Sequence, residues 1–414
     1  MRGLGEDRQA RPATLATMRP PPILPPGTIG ILGGGQLGRM LALAARAMGY
    51  RIAIQDPDPD CPAAAVADRV ILGGYDDVRA ARELGQRSDV VTYELEHVAV
   101  DVIDALADRV PVRPGRAPLL VTQDRLAERR FIETAEVQVA AWRAVRTTDD
   151  LHRAAEELGL PLRLKATTGG YDGRGQLRLA AHDELEDAFQ RLGRPRGEAI
   201  LVERELAFEA EVSIIVARGV DGQIAAFPLA RNVHDRGVLA ASVAPAPVAP
   251  AIAASALALG ERLAVEMDLV GTLTVELFLM PDGRLVVNEL APRVHNSGHW
   301  TIEGAATSQF EQHIRAICGL GLGATHALAP TAMVNLLGTG PRRPARLDCV
   351  AAALADSALH LHLYDKREVF ERRKMGHLTA VGETAGTADA PLAKARAAAA
   401  ELRWVEDKDE ETGR

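Results

Sequence analysis

The sequence predicts an α/β (α+β) protein built from several domains. Its 414 residues are enough for two to four domains. Strand and helix patterns alternate over residues 28–56 and again over 142–217, whereas residues 331–381 are rich in strands alone. Hydrophobic residues make up 47% of the chain and charged residues 25%, which is ordinary for a globular protein. We therefore expect alternating α/β units followed by a small β-rich domain.

Composition and charge exclude several functional classes. The net charge is −8 without a long basic run, which argues against a nucleic-acid partner. No apolar run approaches the roughly 20 residues that cross a bilayer, and the N-terminus lacks the apolar segment of a secretory signal. The cysteines (Cys61, Cys318 and Cys349) are far apart and show no metal-site spacing. We expect a cytoplasmic protein with no membrane partner and with a disordered tail over residues 1–26.

The first predicted domain, residues 27–120, opens with a strand, a glycine turn, a helix and a second strand. Gly33, Gly35 and Gly38 fit the G-x-G-x-x-G pattern, and Asp56 ends the second strand, as in dinucleotide sites. The same glycines serve any helix N-terminus that binds an anion, so the pattern alone leaves both interpretations open. We expect the turn to receive a substrate phosphate or a similar anion, and not NAD.

A second strand-like run covers residues 89–97 and ends in Glu94 and Glu96. Because these glutamates alternate along the run, they are either solvated residues of an edge strand or acidic groups of a site. The residues themselves do not separate the two interpretations.

The second predicted domain, residues 121–326, begins with a helix from Thr122 and contains a glycine-rich loop between two strands. This loop reads KATTGGYDGRGQ, and Lys165 stands at its base. A glycine loop between strands is not a Walker loop, which precedes a helix. We interpret it as a flap that closes over phosphates, within a lid of about residues 140–206. Lys165 is one of only five lysines in an arginine-rich chain, which suggests a need for a compact charge.

A predicted hairpin, residues 271–289, brings two glutamates together. With a two-residue turn at Asp282-Gly283, Glu276 lies opposite Glu289, and two bare carboxylates about 5 Å apart repel by roughly 3 kcal/mol. A three-residue loop with a bulge would instead place Asn288 opposite Glu276. The pair either shares a proton, meets arginines, or holds Mg²⁺ whose coordination is completed by nucleotide phosphates. We favour the magnesium site.

The last part of the chain is strand-rich and carries a basic segment. Residues 327–385 form the predicted β-rich domain, and residues 386–414 a helix and a frayed tail. The basic segment reads LHLYDKREVFERRKMGH. Clustered cations of this kind suit an anionic substrate group, although a solvated basic face would look similar.

Seven stretches, taken in order, resemble the ATP-grasp superfamily and, within it, the 5-(carboxyamino)imidazole ribonucleotide synthases. They are GGGQLGRM, TYELEHV, TQDR, KATTGGYDGRGQ, NVH, VELFLMPDGRLVVNELAPRVHNSGH and RRKMGH. The resemblance implies an ATP-grasp fold with an N-terminal Rossmann-like pre-ATP-grasp domain and a small C-terminal β-rich domain. It also implies a homodimer that carboxylates 5-aminoimidazole ribonucleotide with ATP, Mg²⁺ and bicarbonate in purine synthesis.

The resemblance assigns roles to individual residues. The residues it places at ATP are Arg125, Lys165, Gly170, Tyr171, Asp172, Gly173, Arg174, Gly175, Gln176, Glu203, Arg204, Glu205, Leu206, Glu211, His234, Asn288 and Glu289. The metal ligands are Glu276 and Glu289. The residues near the reacting groups are Tyr171, Asp172, Arg174, Arg293, His295 and Lys374. The residues for the ribonucleotide are Gln36, Leu37, Glu94, Glu96, Asn296, Lys366, Arg373 and Lys374.

Two positions depart from the family pattern. Asp365, between Tyr364 and Lys366, and Arg372, before Arg373, each stand where the family commonly has glycine. An extra anion beside a phosphate site is unfavourable unless it faces a cation such as Arg367 or Arg372. These departures bear on the substrate phosphate and not on ATP.

Three other functions fit parts of the sequence. Another ATP-grasp ligase, of the formate-dependent glycinamide ribonucleotide transformylase or biotin carboxylase type, would share the ATP residues and differ in the acceptor. An NAD-dependent oxidoreductase would use the glycine turn with Asp56 but leaves the glutamate pair unexplained. A catalytically silent nucleotide-binding protein would not need every cation and carboxylate named above.

Overall fold

The computed structural model describes residues 20–169, 175–192 and 198–405. Its first domain contains strands β1 Thr28–Leu32, β2 Arg51–Asp56, β3 Arg69–Leu72 and β4 Val90–Tyr93 with helices α1 Gln36–Ala47, α2 Val78–Gln86 and α3 Val100–Ala107. The strands form a parallel sheet in the order β3-β2-β1-β4. Both faces of this sheet are covered, which is why β1 and β4 are almost continuously apolar.

Part of the predicted N-terminal tail packs against this domain. The N–H of Ile23 donates to the carbonyl of Cys318, and the hydroxyl of Tyr50 donates to the carbonyl of Ile23. The predicted tail therefore ends before Ile23 among the described residues. Strand β4 is shorter than predicted, so Glu94 and Glu96 follow its end and do not lie along an edge strand.

Two short helices, α4 Arg116–Gln123 and α5 Arg125–Thr134, connect the first domain to the lid. The predicted helix from Thr122 is broken at Asp124, whose carboxylate accepts the N–H groups of Leu126 and Ala127 and so caps α5. This cap places Arg125 at the first turn of α5.

The lid is an antiparallel sheet with two helices. Its elements are β5 Trp142–Val145, α6 Thr148–Leu158, β6 Leu162–Ala166, β7 Gln176–Leu179, α7 Leu185–Arg191 and β8 Ile200–Arg204. The strand order is β5-β8-β6-β7. Helix α6 starts at a capping box between Thr147 and Asp150. Strands β6 and β7 flank the glycine flap as predicted, with Lys165 near the end of β6.

The centre of the molecule and its C-terminal part share one sheet. The central elements are β9 Ala210–Arg218, β10 Ile224–Ala226, β11 Ala230–Asp235, β12 Val238–Ala244, α8 Pro250–Glu266, β13 Gly271–Leu279, β14 Leu285–Ala291, α9 Thr301–Gly304 and α10 Gln309–Cys318. The C-terminal elements are β15 Thr331–Leu337, β16 Arg343–Pro344, β17 Leu347–Asp348, α11 Val350–Ala353, β18 Leu359–Leu363, β19 Glu368–Val369, β20 Lys374–Val381, α12 Asp389–Glu401 and β21 Arg403–Trp404.

The shared sheet has the order β14-β13-β9-β11-β12-β15-β20-β18, with β10 beside β9. The C-terminal strands therefore extend the central sheet. Helix α8 packs on one face through the apolar side chains of β9 and β13, and α12 covers β15 and β20. The other face, towards the lid and the first domain, carries the polar side chains described next. Among the described residues, no helix is both long and apolar enough to cross a membrane.

Candidate active site

Two cavities meet between the lid, the central sheet and the first domain. The smaller, of about 350 Å³, lies under the lid and is called here the lid cavity. The larger, of about 1200 Å³, lies between the first domain and the C-terminal strands and is called the interdomain cavity. Residues that line both cavities form their junction: Arg125, Glu289, His295, Asn296 and Lys374. Five residues to which the sequence analysis gave four different roles therefore meet at one point.

A buried ion cluster forms one wall of the lid cavity. The carboxylate of Glu203 accepts from Lys165 Nζ at 2.6 Å and from Arg129 Nε at 2.5 Å. Burial raises the pKa of Glu203, but the two cations outweigh it and lower that pKa to about 2. Burial lowers the pKa of Lys165, and Glu203 opposes this shift. The net shift of the Lys165 pKa is downward, and the contact with Glu203 fixes its amine at the base of the flap.

Sequence reasoning missed Arg129, although its spacing could have revealed it. Arg129 lies four residues after Arg125 on α5, so both side chains leave the same face of the helix. Arg129 also donates to Glu128 at 2.8 Å and to the carbonyl of Asn288 at 2.7 Å. It thereby ties the lid hinge to the glutamate hairpin.

The hairpin confirms the predicted pairing of Glu276 with Glu289 by a different route. Its loop has three residues, because Met280 N–H donates to the carbonyl of Arg284. That register alone would pair Glu276 with Asn288. A bulge at Asn288 then shifts the register by one residue, and Glu276 pairs with Glu289. Of the loop choices left open by the sequence, the three-residue loop is the one observed, and the two glutamates share a face as predicted.

The two glutamates differ in their electrostatic environment. Burial, followed by the charge of Glu289, raises the pKa of Glu276 to about 7. Burial also raises the pKa of Glu289, but the charges of Arg125 and Lys165 outweigh it and the net shift is downward. Arg125 Nη1 lies 3.3 Å from Glu289 Oε2, and His295 Nε2 lies 3.2 Å from Glu276 Oε1.

This donor set fits Mg²⁺. Two carboxylates face one cavity, with the side chain of Asn288 beside them. Burial and then the charge of Glu289 raise the pKa of Glu276, so a cation between the two carboxylates would favour their charged forms. No group of three or more acidic, histidine or cysteine side chains forms a metal site within the described residues. Two carboxylates with phosphate oxygens are nevertheless the usual partners of Mg²⁺.

The far end of the lid cavity is formed by the hinge and by two stacked rings. Phe208 and Phe278 stack with centroids 4.5 Å apart, a pair that the sequence did not single out. The backbone N–H groups of Arg204 and Glu205 already donate to the carbonyls of Ala141 and Pro161, and Leu206 lines the cavity beyond them. The predicted hinge is thus held to the lid by its own backbone.

Glu211 and His234 lie side by side on neighbouring strands of the cavity floor. His234 Nδ1 hydrogen-bonds Glu211 Oε2. Burial lowers the pKa of His234, but this hydrogen bond and the charge of Glu211 outweigh it and raise the pKa. His234 therefore holds the carboxylate of Glu211 towards the cavity.

The glycine turn holds an internal anion. The N–H groups of Gly35 and Gly38 donate to the two oxygens of Glu94, each at 2.5 Å, and Gly34 N–H donates to Asp56 Oδ2 at 2.7 Å. A Cβ at Gly35 would stand 2.5 Å from Glu94 Oε1. The N–H groups of Gly35 and Gly38 thus receive a carboxylate of the chain itself. A substrate phosphate at the start of α1 stays a prediction.

Glu94 and Glu96 are not solvated edge residues. Glu94 is buried, and Glu96 forms a two-pronged pair with Arg293, at 2.8 Å to Nε and 3.0 Å to Nη2. Gln36 and Leu37, at the start of α1, line the interdomain cavity beside them. The first domain therefore contributes both acidic groups and a helix start to this cavity.

The basic segment approaches the same cavity from the C-terminal strands. Lys366 Nζ lies 3.0 Å from Gln36 Oε1 and also donates to the carbonyl of Lys374. Arg373 packs over the ring of Phe370, 5.1 Å from its centroid. Lys366 and Arg373 line the interdomain cavity alone, whereas Lys374 lines both cavities.

Asp365 and Arg372 explain why glycine is usual at their positions. Both have positive φ, 59° and 65°, which glycine adopts without strain. Asp365 pairs with Arg39 of α1 at 3.1 Å and not with Arg367 or Arg372. Arg372 donates to the carbonyls of residues 235 and 236. The extra anion thus faces a cation, and both departures fasten the basic segment to its neighbours.

Five flap residues of the sequence analysis lie outside the described residues: Gly170, Tyr171, Asp172, Gly173 and Arg174. The flanking Gly175 has φ of 69°, and Gln176 lines the lid cavity. Asn296 is buried at the junction, and both polar atoms of its side chain lack a hydrogen-bond partner among the residues that the structure describes. An amide in this state is available to a ligand.

Family models match the chain in three consecutive segments. They are the ribonucleotide synthetase preATP-grasp domain over residues 27–123, the ATP-grasp domain over 130–310, and the phosphoribosylaminoimidazole carboxylase C-terminal domain over 331–390. The N5-carboxyaminoimidazole ribonucleotide synthase of Bacillus subtilis (strain 168) is 45% identical over 361 residues, covering 86% of this chain and 92% of the relative. The chain belongs to the N5-carboxyaminoimidazole ribonucleotide synthase family.

Solved structures agree with membership of the N5-carboxyaminoimidazole ribonucleotide synthases. An ADP complex of such a synthetase has a TM-score of 0.83 at 42% identity, covering 91% of this chain and 97% of its own. A synthase from Aspergillus clavatus in complex with ADP and 5-aminoimidazole ribonucleotide has a TM-score of 0.80 at 29% identity, covering 90% and 97%. The expected ATP-grasp fold is confirmed, and the chain is an ATP-dependent ligase of purine biosynthesis. The oxidoreductase and silent-protein alternatives are thereby set aside.

Proposed function

We propose that the chain uses ATP and bicarbonate to carboxylate 5-aminoimidazole ribonucleotide, with ATP in the lid cavity and the ribonucleotide in the interdomain cavity. The observation that carries this proposal is the junction of the two cavities. Cations and carboxylates suited to phosphate lie on one side of it, and the basic segment lies on the other. A phosphoryl group entering from the lid cavity meets the second substrate there.

The nucleotide lies along the lid cavity. Its phosphates meet Lys165 and Arg125, while adenine lies near Leu206 and the Phe208–Phe278 stack. Glu211, held by His234, accepts from the ribose hydroxyls. When the nucleotide binds, its phosphates become a second anionic partner of Lys165 besides Glu203. The amine of Lys165 is already in place for this contact.

Glu276 and Glu289 would hold Mg²⁺, with Asn288 beside them. When bound, the ion neutralises charge on the phosphates and draws their oxygens into position. Arg125 already offsets the charge of Glu289. Because Arg125 offsets the charge of Glu289 and the pKa of Glu276 is raised, Glu276 is the carboxylate that most needs a cation.

The chemistry proceeds at the junction in two steps. A bicarbonate oxygen attacks the γ-phosphorus of ATP, which releases ADP and gives carboxyphosphate. The amine of the ribonucleotide then attacks the carboxyl carbon, the C–O bond to phosphate breaks, and inorganic phosphate leaves with the proton that the amine gives up. Arg293, His295, Asn296 and Lys374 surround the bicarbonate. Exclusion of water from this junction protects the anhydride from hydrolysis.

The ribonucleotide is held between the first domain and the C-terminal strands. Lys366 and Arg373 bind its 5′-phosphate together with the backbone of Gln36 and Leu37, and the acidic Glu94 and Glu96 face its ribose.

Burial lowers the pKa of His295 well below its usual value, and Arg293 and Lys374 lower it further, so His295 is neutral beside the reacting groups.

The test follows oxygen atoms. With ¹⁸O-labelled bicarbonate, attack on ATP transfers one labelled oxygen into the inorganic phosphate for each carboxylated product. Unlabelled phosphate, or ADP release that is independent of 5-aminoimidazole ribonucleotide and of bicarbonate, would contradict the proposal. We also propose that the enzyme is cytoplasmic and forms a homodimer. Sedimentation of the purified protein tests the homodimer.

A further inference from the structure

His295 ends a line of buried hydrogen bonds that crosses three strands. Ser242 Oγ donates to Asn232 Oδ1 at 2.8 Å, and Asn232 Nδ2 donates to Ser213 Oγ at 3.0 Å. Ser213 Oγ then donates to Ser297 Oγ at 2.9 Å, and Ser297 Oγ lies 2.9 Å from His295 Nδ1. The other four residues of this line, Ser213, Asn232, Ser242 and Ser297, are at most 5% exposed.

Strand register places the line on one face of the sheet. Ser213 of β9 is the direct partner of Glu276 on β13, and Ser242 of β12 is the direct partner of Asn232 on β11. Asn232 is also the partner of Glu211, two residues from Ser213. Because side chains two residues apart share a face, these polar groups all point towards the turn that carries His295.

The direction of the line follows from one backbone group. Ser297 N–H donates to His295 Nδ1 at 3.3 Å, and an N–H can only donate. His295 Nδ1 is therefore an acceptor, and the ring proton of the neutral imidazole is on Nε2. With Nδ1 accepting, Ser297 Oγ donates to it, Ser213 Oγ donates to Ser297, and the amide of Asn232 presents its NH₂ to Ser213 and its oxygen to Ser242. Every group in the line has one consistent role.

The other nitrogen of His295 faces Glu276. His295 Nε2 lies 3.2 Å from Glu276 Oε1, so the Nε2–H donates to that carboxylate. The backbone of His295 is fixed as well, because the side-chain amide of Gln309 accepts from its N–H at 2.9 Å and donates to its carbonyl at 2.6 Å. Both the ring orientation and the tautomer are thus determined from outside the cavity.

We propose that Ser213, Asn232, Ser242 and Ser297 are positioning residues that hold His295 in its Nε2–H tautomer and aim that N–H at Glu276. The proposal rests on the proposed function for its catalytic consequence, but the tautomer itself is a property of the free protein. Hydrogen-bonded groups behind a metal-binding carboxylate fix its orientation, and their loss typically costs ten- to a hundredfold in activity.

The test replaces Ser213 in turn with threonine and with valine, two residues that have the same shape as each other. Ser213→Thr keeps the hydroxyl, whereas Ser213→Val puts a methyl group in its place, and both β-branched residues suit a strand. The protein is labelled with ¹⁵N-histidine, and the ring resonances of His295 are assigned with His295→Gln. In the wild type, Nδ1 should resonate as an unprotonated acceptor and Nε2 as a protonated nitrogen.

We expect Ser213→Val to move the two ring resonances towards each other and to lower kcat by about ten- to a hundredfold, with KM for ATP and for the ribonucleotide changed less than twofold. Ser213→Thr should restore both readouts. Equal damage from Thr and Val would overturn the proposal in favour of a packing effect, as would unchanged resonances in Ser213→Val.

Two further readouts keep the proposal decidable. If Ser213→Val does not fold, Ser297→Ala removes the hydroxyl beside the ring without touching the sheet, and unchanged ring resonances in this variant would also overturn the proposal. If the wild type does not carboxylate the ribonucleotide, the proposed function fails, and the resonances of the free protein alone decide whether the line sets the tautomer.

Discussion

Replacing Glu203 with glutamine should destabilise the lid, because it removes the anion between two buried cations. Glu203 is 4% exposed and receives Lys165 and Arg129 at 2.6 and 2.5 Å. Its pKa of about 2, against an ordinary 4.5, corresponds to about 3 kcal/mol at neutral pH. Removing one partner of a buried pair typically costs roughly 3 to 5 kcal/mol. The two estimates agree on a loss near 3 kcal/mol.

The pH dependence of this loss has a definite sign. Because the folded pKa is depressed, the stabilisation is fully present above pH 4.5 and is lost as the pH falls towards 2. The difference in unfolding free energy between wild type and Glu203→Gln should therefore be constant near neutral pH and shrink below 4.5.

The matched control is Glu205→Gln, two residues further along the hinge. Glu205 pairs with Arg163 and Arg178, whose side chains are 44% and 51% exposed, so its loss should cost at most about 1 kcal/mol. Urea unfolding gives the free energies, and hydrogen exchange in β6 and β8 localises the effect to the lid. Equal losses in the two variants, within about 0.5 kcal/mol, would refute the buried-cluster argument.

Three more outcomes test the site. Glu289→Gln should lower kcat at least a hundredfold, because it removes a charged metal ligand worth several kcal/mol. The control Glu266→Gln, at an exposed position, should leave kcat unchanged. Activity of Glu289→Gln within threefold of wild type would show that Glu289 is not a metal ligand. Lys366→Ala and Arg373→Ala should each raise KM for 5-aminoimidazole ribonucleotide about ten- to a hundredfold and leave KM for ATP unchanged, since each residue lines only the interdomain cavity; a selective effect on ATP would reverse the assignment. Calorimetry should detect no micromolar NAD binding, because Glu94 already occupies the glycine turn; measurable binding would mean that its carboxylate can be displaced.

The sequence predicted well what depends on local pattern. The strands around the flap, the helices of the lid and the shared face of Glu276 and Glu289 all follow from periodicity and were confirmed. The hairpin loop was not predictable in the same way. The bulge at Asn288 is held by long-range partners, since Arg129 binds the carbonyl of Asn288 and Val287 N–H donates to the carbonyl of Gln138.

The glycine turn shows a second limit of local pattern. Its G-x-G-x-x-G spacing states that something anionic approaches the backbone closely, but not which anion. Glu94 is 59 residues from Gly35, and only the pairing of β1 with β4 brings its carboxylate to the turn. The place of Lys374 at the junction of the two cavities likewise follows from the strand order that sets β20 beside the central sheet.

The contact between Lys366 and Gln36 joins residues 330 positions apart and so bears on how the enzyme is made. A contact of such high sequence separation closes late in folding. During synthesis, the residues that line the lid cavity, except Lys374, leave the ribosome well before the basic segment does. A nascent chain thus acquires the means to hold a nucleotide before it can hold the acceptor. Productive turnover begins only after residues 364–374 have folded back onto the first helix.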